Sequence, residues 1–277
     1  MGLMYMPTRG IGTVSNLASS VGTYSSRGTN VAAPVSTNTK GSWVELISAA
    51  NVTGPVIGFT VQIANNLGAG AARRCLHDIG IGGAGSEVVI VSNLGTTGPN
   101  NPATQPAARE LFFPIRIPQG TRIACRSQSN NASQTSNVVI TLFYGNWLDY
   151  QTYSGAEVIG ADTSTTSMLA HTAGNSSAYS SWTNIGSSTT RPYYGGALYV
   201  MNDTLTTLTA LNYVAQFGYN SNPEGETWFA ATTNESQGSF LNSTFTPGKI
   251  PTGTQLQIRA KCSATGESLQ YGVICLY

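Results

Sequence analysis

Charge is what this sequence has least of. Of 277 residues, 13 are Lys or Arg and 12 are Asp or Glu, which makes 9% charged and a net charge of +1, against a usual fraction near ~25%. That balance excludes both a basic footprint for nucleic acid and an acidic tail. Two histidines are too few to complete a Cys/His zinc set, and Cys75, Cys125, Cys262 and Cys275 form no CxxC pair. No apolar run approaches the ~20 residues of a membrane-spanning helix. The opening MGLMYMPTRG lacks the long apolar stretch of a secretory signal, so no secretion is expected. Helical periodicity is confined to LASSVG and LTALNYVAQ. A coiled coil is excluded by 31 Gly and 12 Pro, and collagen by the lack of a Gly-X-Y period. Ser, Thr, Asn and Gly fill the space that charge leaves. The resulting surface is uncharged but hydrogen-bonding, unlike that of most soluble cytoplasmic enzymes.

Repeats organise the chain. Residues 112–144, FFPIRIPQGTRIACRSQSNNASQTSNVVITLFY, align without a gap to residues 245–277, FTPGKIPTGTQLQIRAKCSATGESLQYGVICLY. Identical pairs are Phe112/Phe245, Pro114/Pro247, Ile117/Ile250, Pro118/Pro251, Gly120/Gly253, Thr121/Thr254, Arg126/Arg259 and Tyr144/Tyr277. Chance gives roughly two identities over such a length. Upstream, Ile79-Gly80-Ile81 matches Phe217-Gly218-Tyr219 and Ser42-Trp43 matches Ser181-Trp182, with larger offsets. The drift predicts residues lost from the second copy, with 93–111 as the expected place. Four segments follow: an arm over 1–30, copy one over 31–146, a connector over 147–164 and copy two over 165–277.

Each copy reads as β. Short apolar runs such as WVELI, VIGFTVQI, SEVVIVSNL and ALYVM are separated by Gly, Pro and Asn. Val138, Ile140, Leu142 and Tyr144 alternate with Val139, Thr141 and Phe143, so both faces are apolar and a central strand is expected. The fold expected is all-β, two tandem jelly-roll-like sandwiches behind an extended N-terminal arm.

Chemical motifs are few. Gly80-Ile-Gly82-Gly83-Ala84-Gly85 fits the dinucleotide fingerprint in letters, but a strand-like segment follows it where the fingerprint needs a helix, so a hairpin is expected. Cys75, Cys125 and Cys275, three of the four cysteines, align with apolar or aromatic residues in the other copy, and the four read as buried thiols; a Cys262–Cys275 disulfide is the lesser alternative. His77-Asp78 is replaced by Ala215-Gln216 in copy two, and no GxSxG elbow accompanies it, so His77 reads as structural. Glu224, Glu226 and Glu87 are the carboxylates a glycosidase reading would use, and nothing else supports one. Arg126 and Arg259 are expected to snorkel or to pair with a carbonyl or carboxylate, and Trp43 and Trp182 to pack a core. Aromatics outside the repeat correspondence are the candidates for recognition: Trp147, Tyr150, Tyr153, Tyr193 and Tyr194. Packing the two copies together is their plainer role. No catalytic residue, metal ligand or cofactor site is expected.

At GSWVEL (41–46), DIGIGGAGSEVVI (78–90) and FFPIRIPQGTRIACR (112–126) the chain resembles a family of tailed-bacteriophage virion proteins built from tandem β-modules. The resemblance covers most of copy one and, more weakly, copy two. It implies a setting: a non-enzymatic virion structural protein on the particle exterior, either a capsid decoration protein or a tail- or fibre-associated adhesin. A carbohydrate-binding module that stacks host-surface glycan on Trp147, Tyr150, Tyr193 or Tyr194 is the alternative reading from the aromatics. Other virion proteins are the implied partners. A homo-oligomer, first of all a trimer, is expected, without nucleic acid, membrane or cofactor. The arm is expected to order across a neighbouring subunit.

Overall fold

The computed structural model describes residues 13–15, 28–65, 74–97, 109–146, 151–201, 211–231, 240–241, 246–264 and 268–277. The first half holds β1 (Thr13–Ser15), β2 (Thr29–Ala32), β3 (Val44–Ile47), β4 (Val56–Asn65), β5 (Arg74–Ile81), β6 (Val88–Thr97), β7 (Arg109–Phe113), β8 (Ile123–Ser129) and β9 (Thr135–Tyr144). The second holds β10 (Ala156–Ile159), β11 (Ala161–Asp162), β12 (Ser167–Thr172), β13 (Thr183–Asn184), β14 (Tyr193–Met201), β15 (Leu211–Tyr219), β16 (Asn222–Ala231), β17 (Phe240–Leu241), β18 (Thr246–Ile250), β19 (Leu256–Cys262) and β20 (Ser268–Leu276). The protein is an all-β sandwich fold. LTALNYVAQ, helical by periodicity, runs into β15 from Leu211 onward because its residues pair on both sides with strands. LASSVG lies outside the described residues.

Each half packs two sheets face to face. In the first, β7-β4-β9 with β1 and β2 faces β6-β5-β8-β3; in the second, β18-β14-β20 with β10 and β12 faces β16-β15-β19-β13. The register repeats residue for residue. Asp78 lies opposite Arg126 as Gln216 lies opposite Arg259, and Val61 opposite Ile140 as Leu198 opposite Val273. Alternation puts Phe59, Val61, Val138, Ile140 and Leu142 in one core and Leu198, Val200, Tyr271, Val273 and Cys275 in the other. Burying each such side chain stabilises by about 1.5–3 kcal/mol.

The correspondence reaches further back than the sequence alignment. Val14 in β1 pairs with Leu142, and Glu157 in β10 pairs with Cys275, the equivalent of Leu142; Thr29 and Leu169 are equivalent in the same way. Of the arm, Thr13–Ser15 with Thr29 and Asn30 pair with β9 of their own chain and cover its edge; apart from Gly28, the rest of the arm lies outside the described residues. Likewise β10 and β11 lie inside the segment read as a connector.

The second copy's missing residues also sit elsewhere than expected. Between β5 and β6 run the six residues 82–87, and between β15 and β16 only Asn220-Ser221, both at positive φ (50° and 61°), the signature of a tight two-residue hairpin. Across 98–111 no residue is lost, because β6 and β8 carry the same offset to their counterparts. One further residue is extra in the first half, at the bulge around Ser92 and Asn93.

One sheet joins the halves. β10 pairs antiparallel with β20 and parallel with β6, with Ala156 opposite Val91 and Glu157 opposite Ser92. The outward face of β14 and β20 then lies against the first half: Tyr199, Met201, Ile274 and Leu276 belong to the first half's core cluster. Both faces of β20 are thus buried, which accounts for its two-sided apolar pattern.

Candidate functional site

The residues retained in both copies converge on the outward face of the smaller sheet of each half. Asp78 and Arg126 are opposed on β5 and β8, and strand alternation aims both away from the core. Arg126 Nε donates to Asp78 Oδ2 at 2.9 Å, and Lys40 Nζ donates to Asp78 Oδ1 at 2.8 Å and to Asn93 Oδ1 at 2.9 Å. The backbone N–H of Asn93 donates to Asp78 Oδ1 at 2.9 Å. Burial pushes the Asp78 carboxyl upward. The Lys40 charge and these hydrogen bonds outweigh it, and the group ends below its ordinary value. The Arg126 guanidinium stacks on Trp43 at 4.6 Å. Trp43 lies over Gly80, where a β-carbon would sit 2.6 Å from the indole. It is half-buried on the outward face, a correction to its expected place in the core.

In the second half the frame is kept and the chemistry changes. Arg259 lies over Trp182 at 4.5 Å and Tyr179 at 4.7 Å, and its Nε donates to Gln216 Oε1 at 2.8 Å. Gln216 Nε2 in turn donates to Glu226 Oε2 at 2.5 Å, which also accepts from the Tyr179 hydroxyl at 2.9 Å. Burial first, then Glu226 as acceptor, pushes the Tyr179 phenol up to about 12. Lys261 sits 4.7 Å from the same ring. Beyond this row, Trp228 projects at 73% exposure.

A second clamp holds the first half's hairpin. Arg122 donates to Glu87 Oε1 and to Glu45 Oε2, both at 2.8 Å. Gly82-Gly83-Ala84-Gly85 forms the turn, with Ser86 N–H on Gly83 O at 3.0 Å and Gly85 N–H on Glu87 Oε2 at 3.0 Å. The glycines build a hairpin, and no helix N-terminus follows to receive a phosphate.

The titratable candidates are kept apart. His77 is buried and within 3.0 Å of Thr96 Oγ1, while its neighbour Asp78 points to the opposite face. Burial, then the Lys40 charge, carries the His77 imidazole down to about 3 against the opposing pull of Asp78. His171 is buried against Ser180 Oγ at 2.7 Å and is also lowered by burial. Glu226 is bound to Gln216 and Tyr179, Glu224 lines a cleft of about 40 Å³ with Tyr219 and Lys249, and Glu87 lies in the other half. The four cysteines are buried thiols. Among the described residues no three His, Cys, Asp or Glu side chains gather to hold a metal.

Of the aromatic candidates, Trp147 and Tyr150 lie outside the described residues. Tyr193 is fully buried, edge-on to Tyr277 at 6.4 Å, so it packs the second core and is no recognition residue. Tyr194, next on β14, is 45% exposed. Tyr153 bridges to Ile115 and packs against the first core. Trp228 was not among the candidates although its counterpart, Gly95, is not aromatic and so met the same criterion; the register shows it as an outward indole.

No family model matches the chain, and no curated protein matches it significantly. Among solved structures, PNGF-II in its C2 crystal form aligns at TM-score 0.38 and 9% identity over 91% of this chain, which spans 65% of that chain's length. The tandem CBM22-1-CBM22-2 domain of Paenibacillus barcinonensis Xyn10C aligns at 0.30 and 8% over 97% of this chain and 91% of that one. The infectious bursal disease virus VP2 subviral particle aligns at 0.24 and 10%, over 80% and 56%. All three likenesses are loose, and the architecture rests on the chain's own strand pairing.

Proposed function

We propose that this protein is a non-catalytic structural component of a bacteriophage virion, carried on the particle exterior, with capsid decoration preferred to a tail or fibre role. One observation carries the reading: the polar residues of the module motif pair with one another. Asp78 and Arg126, and Arg122 with Glu45 and Glu87, close clamps across strands, so these charges are engaged with one another. A motif used in this way specifies a rigid module. The sheet that runs through both halves makes that module a single body, suited to fixed stoichiometry in an assembly. The low charge suits a protein held among neighbours.

Electron microscopy of intact particles with a gold-labelled antibody tests it. Label over the head supports decoration, and label at the tail moves the protein to an adhesin role. Purified particles without label overturn the proposal. The adhesin alternative draws on Tyr194, exposed at the start of β14; a glycan array in which signal falls for Tyr194→Ala would favour it.

A further inference from the structure

The junction between the halves is a head-to-tail interface, and duplication repeats both of its surfaces at the chain's outer ends. On the first-half side the junction consists of the β6 edge at Val91 and Ser92, the small residue Gly95, and Gln128. Gln128 Nε2 donates to Thr163 O at 2.9 Å and to Thr166 Oγ1 at 2.8 Å. On the second-half side it consists of β10, Tyr199, Met168 and Met201. Tyr199 donates its hydroxyl to Gly95 O, and a β-carbon at Gly95 would collide with the Met201 sulfur and the Met168 methyl.

Register assigns each of these a counterpart. Gly95 opposes Leu76 as Trp228 opposes Val214, and Gln128 corresponds to Lys261. Val91 corresponds to Gly225. On the other side Tyr199 corresponds to Gln62, Met201 to Ala64, and Met168 to Gly28. The sizes are exchanged. Inside the chain a glycine receives two methionines; at the outer ends a tryptophan faces the positions of an alanine and a glycine. β16 is the outermost described strand of its sheet and β1 of its own, at the places where β6 and β10 meet internally. Trp228 is 73% exposed and Ala64 is partly exposed.

We infer that a second copy of this chain docks its first half on the second half of the preceding copy. Its β1 adds in parallel to β16, with Thr13 opposite Gly225, and Trp228 enters the shallow site at Ala64 and Gly28. The contact is heterologous, so it propagates into a ring or a filament instead of closing as a two-fold dimer. The inference is independent of the virion reading.

Sedimentation velocity of the full-length chain over a wide concentration range tests it. Wild type is expected to exceed the 29.0 kDa monomer mass as concentration rises. Trp228→Arg and Ala64→Arg each remove one end and weaken association roughly tenfold or more. Each should remain folded by circular dichroism, since both positions face outward. Mixed together they should form a one-to-one dimer and nothing larger, because each retains the end the other has lost. A wild type that stays monomeric, a Trp228→Arg variant that assembles normally, or a mixture that fails to pair overturns the inference. So does a monomeric wild type that binds a glycan through Trp228, which would give this face a different occupant.

Discussion

The two halves hold the same frame with different chemistry. Where the first half sets His77-Asp78 on β5, the second sets Ala215-Gln216 on β15, and both oppose a retained arginine stacked on a retained tryptophan. A carboxylate that receives Lys40 and Arg126 has become an amide relaying Arg259 to Glu226. The retained part is the stacked Trp–Arg pair and its strand register; the charge was replaceable. A second difference is burial. β14 and β20 are covered on both faces because the first half lies on their outward side, whereas the equivalent face of β4 and β9 carries Gln62, Ala64 and Thr141, only partly covered.

The sharpest way to break the comparison is at its central residue. Asp78→Ala leaves Lys40 and Arg126 facing one another without their carboxylate, and removing one partner of a buried pair costs about 3–5 kcal/mol. Gln216→Ala removes two hydrogen bonds, from Arg259 and to Glu226, at a half-buried site where water can replace them, in all about 1–2 kcal/mol. Urea unfolding of the two variants should separate clearly. Equal midpoint shifts would show that the charged clamp is worth no more than the neutral one.

Next in size is the junction. Gly95→Trp installs the second half's residue in the first half, where Met168, Met201 and Tyr199 already fill the space, and overpacking costs about 1–3 kcal/mol. Calorimetry should show the wild type melting in one transition, because one sheet and one core cross the junction, and the variant broadening or splitting it. Two transitions in the wild type would mean that β10 does not couple the halves.

Acid should discriminate the halves further. His77 is held neutral with its folded value near 3, below its unfolded value of about 6.5. The unfolded chain therefore binds the extra proton, and stability falls as pH drops through that window. Asp78 is depressed in the fold, so its stabilisation is present above about pH 4 and is lost as pH falls through its folded value. Burial raises Glu157 in β10, against a smaller opposing pull from Arg191, which gives the opposite sign: protonation relieves it. Ala215 and Gln216 do not titrate, but His171 in the second half is also lowered by burial and adds a fall of the same sign as His77. Stability measured from pH 7 to 3 should decline, and His77→Gln should flatten the decline between about 6.5 and 4.

Much of this was legible in the sequence. Eight identities with Pro118 and Gly120 in register marked the duplication, and the two-sided apolar pattern of Val138 to Tyr144 marked a central strand, β9, which pairs on both edges. The missing hairpin residues were expected in 93–111, whereas the short turn between β15 and β16 shows itself only in the positive φ at Asn220 and Ser221. Trp228 stayed hidden because nothing in a linear reading says which face of a strand a neighbouring domain will cover, although its glycine counterpart was a signal that could have singled it out. The intrachain place of Thr13–Ser15 was hidden for a similar reason: three residues opposite Phe143, Leu142 and Thr141 carry no pattern of their own, and their place is set by the edge they fill.

The smallest expected effect concerns the stacked pairs. A cation–π contact at a partly exposed site is worth about 0.5–1 kcal/mol. Among the described residues Arg126 has the one ring of Trp43, whereas Arg259 has Trp182 and Tyr179 at 4.5 and 4.7 Å. Losing Trp182 therefore leaves Arg259 an aromatic surface, and losing Trp43 leaves Arg126 only Asp78. A double-mutant cycle for Trp43 and Arg126 should return the larger coupling, and the Trp182 and Arg259 cycle a smaller one that grows when Tyr179→Leu is added as background. If the second cycle is unmoved by that background, Tyr179 does not share the load, and the two halves hold their arginines by the same single contact.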